Sequence, residues 1–571
     1  MAKIEAAYDR IDGVIHYGYL KGKNQEFIDL GRVPEMTQLY IDMDTEEKGF
    51  YFELCSTLEP QTFCHVFSRG DFTPRNEKTL ETLMRLGFEV DGSSYSLFCK
   101  VIEDLRHELP PEKIVYRHRS LGWTNMGDSF LGSRVISNDS TVKETIYYGK
   151  YAIQAGGSWE KRQQFIREEI LGRPKLELAF LIGLSAVVNG YLSWYEDVTT
   201  PIFHLYGDST TGKTTALVLA VSAAGDPFGG SRKKPASEIM EKSLLQSWNS
   251  TVNAIEGTLA GNHGMIVAFD ELGAKTADIG SLVYVLANGI SKSRLNMQQP
   301  ESFGTAILSS GECTVSDVLK QEVMGEKMRI CEIAGPFTDD ADHAERIKSN
   351  CKANFGFETM ILAKHILEKG SAYVLDLFEQ SREEYLSKVK TVSSKWQRRS
   401  KLTGGLILLT AKLVSEAVGY TFQTDRICDI LLEADAWLED KGDIGMQALK
   451  MVEEWVENNL QHFIISKKGS PDSCEEVPAK GTAILGKYYS ADQAGVKDFA
   501  IYPARLEAFL KEKGLSKDNL IKIWKKRGIL ITEAGKNTIR RNIEEGGKKG
   551  RKSVYYFSLA ADSAASEEQT V

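Results

Sequence analysis

The sequence predicts a multidomain α/β protein. Three observations carry that expectation: an apolar strand feeding a glycine-rich loop and a helix at 201–220, a second apolar strand ending in two acids about 55 residues later, and a charge balance that changes sign toward the C-terminus. At 571 residues the chain is too long for one hydrophobic core.

In PIFHLYGDSTTGKTTALVLA (201–220), Ile202, Phe203 and Leu205 read as a short buried strand, and residues 207–214 spell G-x-x-x-x-G-K-T before a helical run. The two glycines let backbone N–H groups turn inward around phosphate oxygens, and the helix N-terminus adds partial positive charge. Gly207, Asp208, Ser209, Thr210, Thr211, Gly212, Lys213, Thr214 and Thr215 are therefore the candidate nucleotide-binding residues. Lys213 is expected to reach the β- and γ-phosphates, and the Thr214 hydroxyl to hold Mg2+.

The run MIVAF (265–269) has the composition of a strand covered on both faces and ends in Asp270-Glu271. An acid at that position holds the Mg2+ shell, and the next polarises an attacking water. Asp270 is thus the candidate metal ligand and Glu271 the candidate general base. Residues 303–308 form another short apolar strand ending in Ser309-Ser310, expected between the two motif strands with a polar tip near the γ-phosphate. Either serine suits that role; Ser309 is preferred. Arg329, just before the strand ICEIAG, is placed to meet a neighbouring subunit's nucleotide.

Composition is that of a globular protein, with 42% hydrophobic and 26% charged residues. No apolar run approaches the roughly 18 residues of a membrane span, and the N-terminus is not a signal peptide, so the expected location is the cytoplasm, with no membrane partner. The eight cysteines show no C-x-x-C pair, and free buried thiols are expected. Net charge is −9, yet residues 480–557 hold 18 Lys and Arg against 8 Asp and Glu. A basic module on an acidic body is the charge footprint of a DNA-binding appendage.

Along the chain, residues 1–165 mix strand-like and helical pieces into an N-terminal α+β domain, with Pro110-Pro111 a break between two subdomains. The nucleotide-binding core is expected over 166–337, a lid-like helical bundle over 338–465, a linker over 466–482 (SKKGSPDSCEEVPAKG at 466–481), a compact module over 483–560 and a disordered tail over 561–571. In the compact module, 503–514 and 516–528 read as helices, the second N-capped by Ser516, and two strands around EEGGKKGRK read as a hairpin, which together make a winged helix. Lys522, Lys525 and Lys526 are candidates for the major groove. Lys548, Lys549, Arg551 and Lys552 stand at the wing tip.

These motifs resemble the AAA+ replicative helicases of bacterial genomic islands, the Rep and cassette-chromosome helicase group related to MCM. The resemblance rests on GDSTTGKTT, SWNSTVNAIEGTLAG, FDELG, LANGISKSRL, LSSGE and GEKMRICEI, and covers about 190–335. It implies an AAA+ P-loop ATPase core with a helical lid, a hexameric ring that loads on origin DNA and unwinds it using ATP and Mg2+, and a mobile genetic element as its source. In that picture Arg329 acts in trans, and Lys292 and Arg294 contact the single strand in the channel. Serines stand where the group's pattern has asparagine after Leu308. An AAA+ ATPase acting as a DNA-bound regulator, a transposition-type ATPase or a helicase loader is the alternative.

Overall fold

The structure, a computed structural model, describes residues 7–11, 14–21, 24–44, 50–58, 61–90, 92, 95–229, 242–249, 251–273, 283, 286, 289, 302–315, 330–389, 394–442, 444–467, 476–479, 481–490, 498–513, 515–545 and 548–559. It is a mixed α/β protein of several parts, as the sequence predicts.

The centre is a five-stranded, wholly parallel sheet. Its order is Leu245–Ser247, Val267–Leu272, Ile307–Gly311, Ile202–Tyr206 and Ile330–Ala334. The strand bearing the two serines therefore separates the loop strand from the strand bearing the two acids. Two apolar helices cover the sheet, Lys213–Ser222 and Pro174–Leu192. They pack so closely that a Cβ on Gly183 would lie 2.4 Å from the Ala220 carbonyl oxygen, a contact only glycine admits. Pro174–Leu192 is long and apolar enough to cross a membrane, against the sequence expectation, but 94% of its apolar window is buried in the protein.

Helix and packing run on across 165/166 and 337/338. Trp159–Phe165 runs without a break into the π-helical turn Ile166–Ile170. Helices Ala341–Ala353, Glu358–Lys369, Ser371–Lys388, Ser394–Val418 and Thr424–Gly442 then pack on the sheet's own helices, and one apolar cluster extends from Leu121 to Leu431. Arg162 locks this core. Its guanidinium meets Glu358 Oε1 at 2.6 Å, Ser222 Oγ at 3.0 Å and the Asn354 carbonyl at 3.3 Å, all buried. Glu177 ties in the last helix by accepting from Gly172 N at 2.6 Å and Gln423 N at 2.7 Å, while burial raises its pKa.

The N-terminal portion has its own apolar core, spanning Ile15 to Ile102, under a five-stranded mixed sheet and helices Glu77–Arg85 and Tyr95–Glu108. Past Pro110-Pro111 the chain serves both bodies. Ile114–His118 and Thr145–Tyr147 complete the N-terminal sheet beside Glu35–Asp42, whereas Leu121–Thr124 pairs in parallel with Asn262–His263, just ahead of the central strand Val267–Leu272, and Trp123 Nε1 donates to the Val187 carbonyl at 2.7 Å. Cys55 and Cys64 are not free thiols. The antiparallel register of Phe50–Leu58 with Gln61–Ser68 sets them opposite each other, and they form a disulfide with Cα atoms 4.1 Å apart. The other described cysteines, 99, 313, 331, 351 and 428, are in no disulfide among the described residues.

The C-terminal module is larger than expected. Helix Ile444–Asn458, assigned from sequence to the bundle, puts Leu449, Val452 and Val456 into the same core as Leu506, Trp524 and Phe557. Strand Phe463–Lys467 pairs with Gly486–Ser490, so the expected linker begins inside a sheet. Helices Pro503–Glu512 and Lys517–Lys526 and the hairpin Ile539–Glu545 with Lys548–Ser558 stand where expected, although Ser516 caps by position without a side-chain hydrogen bond.

Candidate functional site

The glycine-rich loop leaves the end of Ile202–Tyr206 and enters helix Lys213–Ser222 directly. Gly212 has φ 80, and a Cβ there would come within 2.5 Å of Thr338 Oγ1. Both conformation and space demand glycine. The Lys213 ammonium is bound within the loop, donating to the Gly207 and Asp208 carbonyls at 2.7 Å each. Phe337 N donates to the Thr211 carbonyl at 2.8 Å, which braces the loop from the segment after Ile330–Ala334.

The two acids sit on a β-bulge. Phe269 pairs with Ser309 and Leu272 with Gly311, so Asp270 and Glu271 together oppose Ser310 alone. Glu271 adopts φ 62, a left-handed conformation uncommon outside glycine that costs on the order of 1 kcal/mol or more. The bulge re-aims the exposed Glu271 side chain, as bulges beside active sites do. Asp270 Oδ1 accepts from Glu271 N at 3.1 Å and from Ser310 Oγ, while Oδ2 accepts nothing among the described residues.

Strand alternation turns the two serines to opposite faces. The Ser309 hydroxyl is turned away from the acids, accepting from Trp248 Nε1 and meeting His204 Nδ1, both at 2.9 Å. His204 Nε2 faces the Cys313 carbonyl at 2.9 Å; since a carbonyl only accepts, the proton is on Nε2 and Nδ1 accepts from Ser309. Burial, opposed by the Cys313 carbonyl and aided by the Lys213 charge, pulls the His204 pKa down to about 4, so the ring is neutral near pH 7. Ser310, in contrast, touches Asp270 and lines the cavity between the acids and the loop. Ser310→Ala is expected to cut ATP turnover about 10-fold with nucleotide affinity retained. Ser309→Ala should instead destabilise the fold by about 1–3 kcal/mol, because it leaves the Trp248 N–H unsatisfied. Turnover assays and urea unfolding of the two variants check this contrast.

That cavity, about 810 Å³, brings together residues 209–215, Asp270, Glu271 and Ser310. Its far wall is helix Ala341–Ala353, which contributes Glu345 and Lys348. Sequence reasoning missed both. The available signal was Asp340, which caps that helix by accepting from His343 N at 2.7 Å and so fixes which turns lean over the loop.

The other candidates divide. Arg329, Lys292 and Arg294 lie outside the described residues. On Lys517–Lys526, Lys522 and Lys526 are exposed, but Lys525 Nζ is tied to the Lys536 carbonyl at 2.9 Å and Asn537 Oδ1 at 3.1 Å. Arg551 and Lys552 are exposed on the hairpin strand that also contains Lys548 and Lys549.

Comparison with known proteins adds to this geometry. No curated protein matches the chain. A solved structure described as "SCCmec type IV Cch - active helicase" superposes with a TM-score of 0.73 at 20% identity, covering 98% of each chain. A second, the NrS-1 C-terminal region in its apo form, reaches only 0.25 at 10% identity over 70% of this chain and 91% of that one, too low to bear on the fold. The model of the Cch helix-turn-helix domain matches residues 443–562, a start that coincides with helix Ile444–Asn458 rather than with the expected boundary at 483. The model of a domain of unknown function, DUF927, matches residues 11–299, about half of the 571 residues. The chain belongs to the DUF927 family, carries a Cch-type helix-turn-helix domain at its C-terminal end, and has the fold of a cassette-chromosome helicase.

Proposed function

We propose that this chain is an ATP-dependent DNA helicase and replication initiator of a mobile genetic element, working as a hexameric ring with an AAA+ core. The observation that carries the reading is the placement of Asp270, Glu271 and Ser310 across one cavity from the Lys213 loop, Ser310 on the strand next to the loop strand and the two acids on the strand beyond it. Loop N–H groups and Lys213 bind and orient the triphosphate. Glu271, re-aimed by the bulge, takes the proton of the attacking water, and Ser310 holds Asp270 in register and senses the γ-phosphate. Thr214 and Asp270 offer a hydroxyl and a carboxylate oxygen into the same cavity, hard donors that suit Mg2+. That ion, when bound, neutralises charge on the phosphate oxygens. Arg329 reaches the neighbouring subunit's nucleotide, Lys292 and Arg294 touch the single strand in the channel, and Lys522, Lys526, Arg551 and Lys552 hold duplex.

The test is unwinding of a forked duplex by the full chain with ATP and Mg2+. Strand separation with wild type and none with Lys213→Ala is expected. ATP turnover without strand separation would replace the helicase by a DNA-bound ATPase, and a protein that stays monomeric with nucleotide and DNA would sink the ring.

A further inference from the structure

A second cavity, about 440 Å³, opens where the N-terminal portion meets the segment that leads into the central strand Val267–Leu272, and it shares no lining residue with the nucleotide cavity. One wall carries Arg119, Tyr148, Lys150 and Tyr151; the other is formed by Gly257, Thr258, Ala260, Gly261 and Asn262. Among the described residues no carboxylate lines it, although the chain as a whole is at −9. The nearby Asp44 is committed to the turn, where it accepts from the backbone N–H groups of Arg119 and Ser120.

The two cations are prepared differently. Arg117, buried and paired with Asp42 at 2.9 Å, stands 4.0 Å from the centre of the Tyr148 ring. The exposed Arg119 guanidinium stands 4.5 Å from the same ring. A guanidinium already stacked on an aromatic ring has lost little freedom and presents a plane on which a base stacks. Lys150 donates to the Gly257 carbonyl at 3.1 Å and lies 5.0 Å from the Tyr151 ring centre. An ammonium has three donors, so an exposed Lys150 retains capacity for a phosphate oxygen.

Both ends of the opposite wall lead to the catalytic acids. Helix Val252–Leu259 follows Leu245–Ser247, whose Ser247 is the register partner of Asp270, and Trp248 N donates to the Asp270 carbonyl at 3.0 Å. At the other end, Asn262–His263 leads straight into Val267–Leu272. Anything that shifts residues 257–262 is thereby placed to move Asp270 and Glu271.

We propose that this cleft binds one nucleotide unit of single-stranded DNA, its base on Arg119 and its phosphate on Lys150, and that occupancy raises ATP turnover. The proposal rests on the ATPase reading above. A base with a phosphate is also the chemistry of a free nucleotide, and the experiment separates the two sources.

Anisotropy of a labelled 30-nucleotide oligo(dT) with the full chain, and ATP turnover with and without that oligomer, provide the readouts. In Arg119→Ala/Lys150→Ala, oligomer affinity should fall about 10-fold, with a salt slope shallower by about 0.7 for each phosphate no longer neutralised. Basal turnover should stay within about twofold and the DNA-stimulated increment should disappear. Lys150→Arg should keep both affinity and stimulation, which a purely structural lysine would not predict from the salt slope. Wild-type affinity, salt slope and stimulation in the double variant would overturn the proposal. So would displacement of the oligomer by dTMP at equal nucleotide concentration, which would assign the cleft to a free nucleotide. Wild type that turns over no ATP at all would instead defeat the underlying reading, and oligomer binding would still report on the cleft.

Discussion

Lys213→Ala is expected to lower ATP turnover by about 10³-fold, roughly 4 kcal/mol of lost transition-state stabilisation, without unfolding the protein. The side chain is only half-buried, and its ammonium is held by two carbonyls of its own loop rather than by the core. Removing it leaves no cavity and no stranded partner, because water reaches those carbonyls. The loss falls on the step at which charge spreads over the transferring phosphoryl oxygens, where no other described cation of the loop stands in. Steady-state phosphate release and a thermal melt on the same preparation test this together. Turnover above a tenth of wild type, with the melt unchanged, would remove Lys213 from the site.

The largest stability effect is expected at Arg162. Its guanidinium and the Glu358 carboxylate are 0% and 1% exposed, and each retains one buried atom without a partner, Nη2 and Oε2. Arg162→Met strands a carboxylate in the core, which costs about 3–5 kcal/mol. The double variant Arg162→Met/Glu358→Leu removes both charges and should recover much of that loss. Urea unfolding of the full chains gives the comparison, and a single variant as stable as the double would show that the pair is not coupled. The effect should reach the nucleotide, since Arg162 also fixes Ser222 at the end of the loop helix.

The strand, loop and helix at 202–222 and the strand ending in two acids were legible because their signals are local: each is a few contiguous residues whose apolar run, glycines and polar tip declare the element. The bulge at Asp270-Glu271 was not legible, because it exists only in the register with Ile307–Gly311. The faces of Ser309 and Ser310 were not legible for a related reason. One residue of phase in a strand selects opposite faces, and nothing within 303–310 declares which face looks toward the acids. Helix Ile444–Asn458 is amphipathic and would suit either the bundle or the module; only its packing against Leu506 and Trp524 chooses between them. The pairing of Leu121–Thr124 with Asn262–His263, which welds the N-terminal portion to the core, depends on a strand of two residues, below any periodic signal.

Helix Pro174–Leu192 has a practical corollary. It is as oily as a bilayer-crossing segment, and much of its cover is supplied by Ser394–Val418 and Thr424–Gly442, more than 200 residues later in the chain. During synthesis the face not covered by Lys213–Ser222 stays uncovered until the ribosome has passed residue 442, so the nascent protein calls for chaperone protection over that interval. Recombinant fragments trimmed to the catalytic motifs alone, stopping near residue 337, are expected in inclusion bodies, whereas those extended through residue 442 should come out in the supernatant.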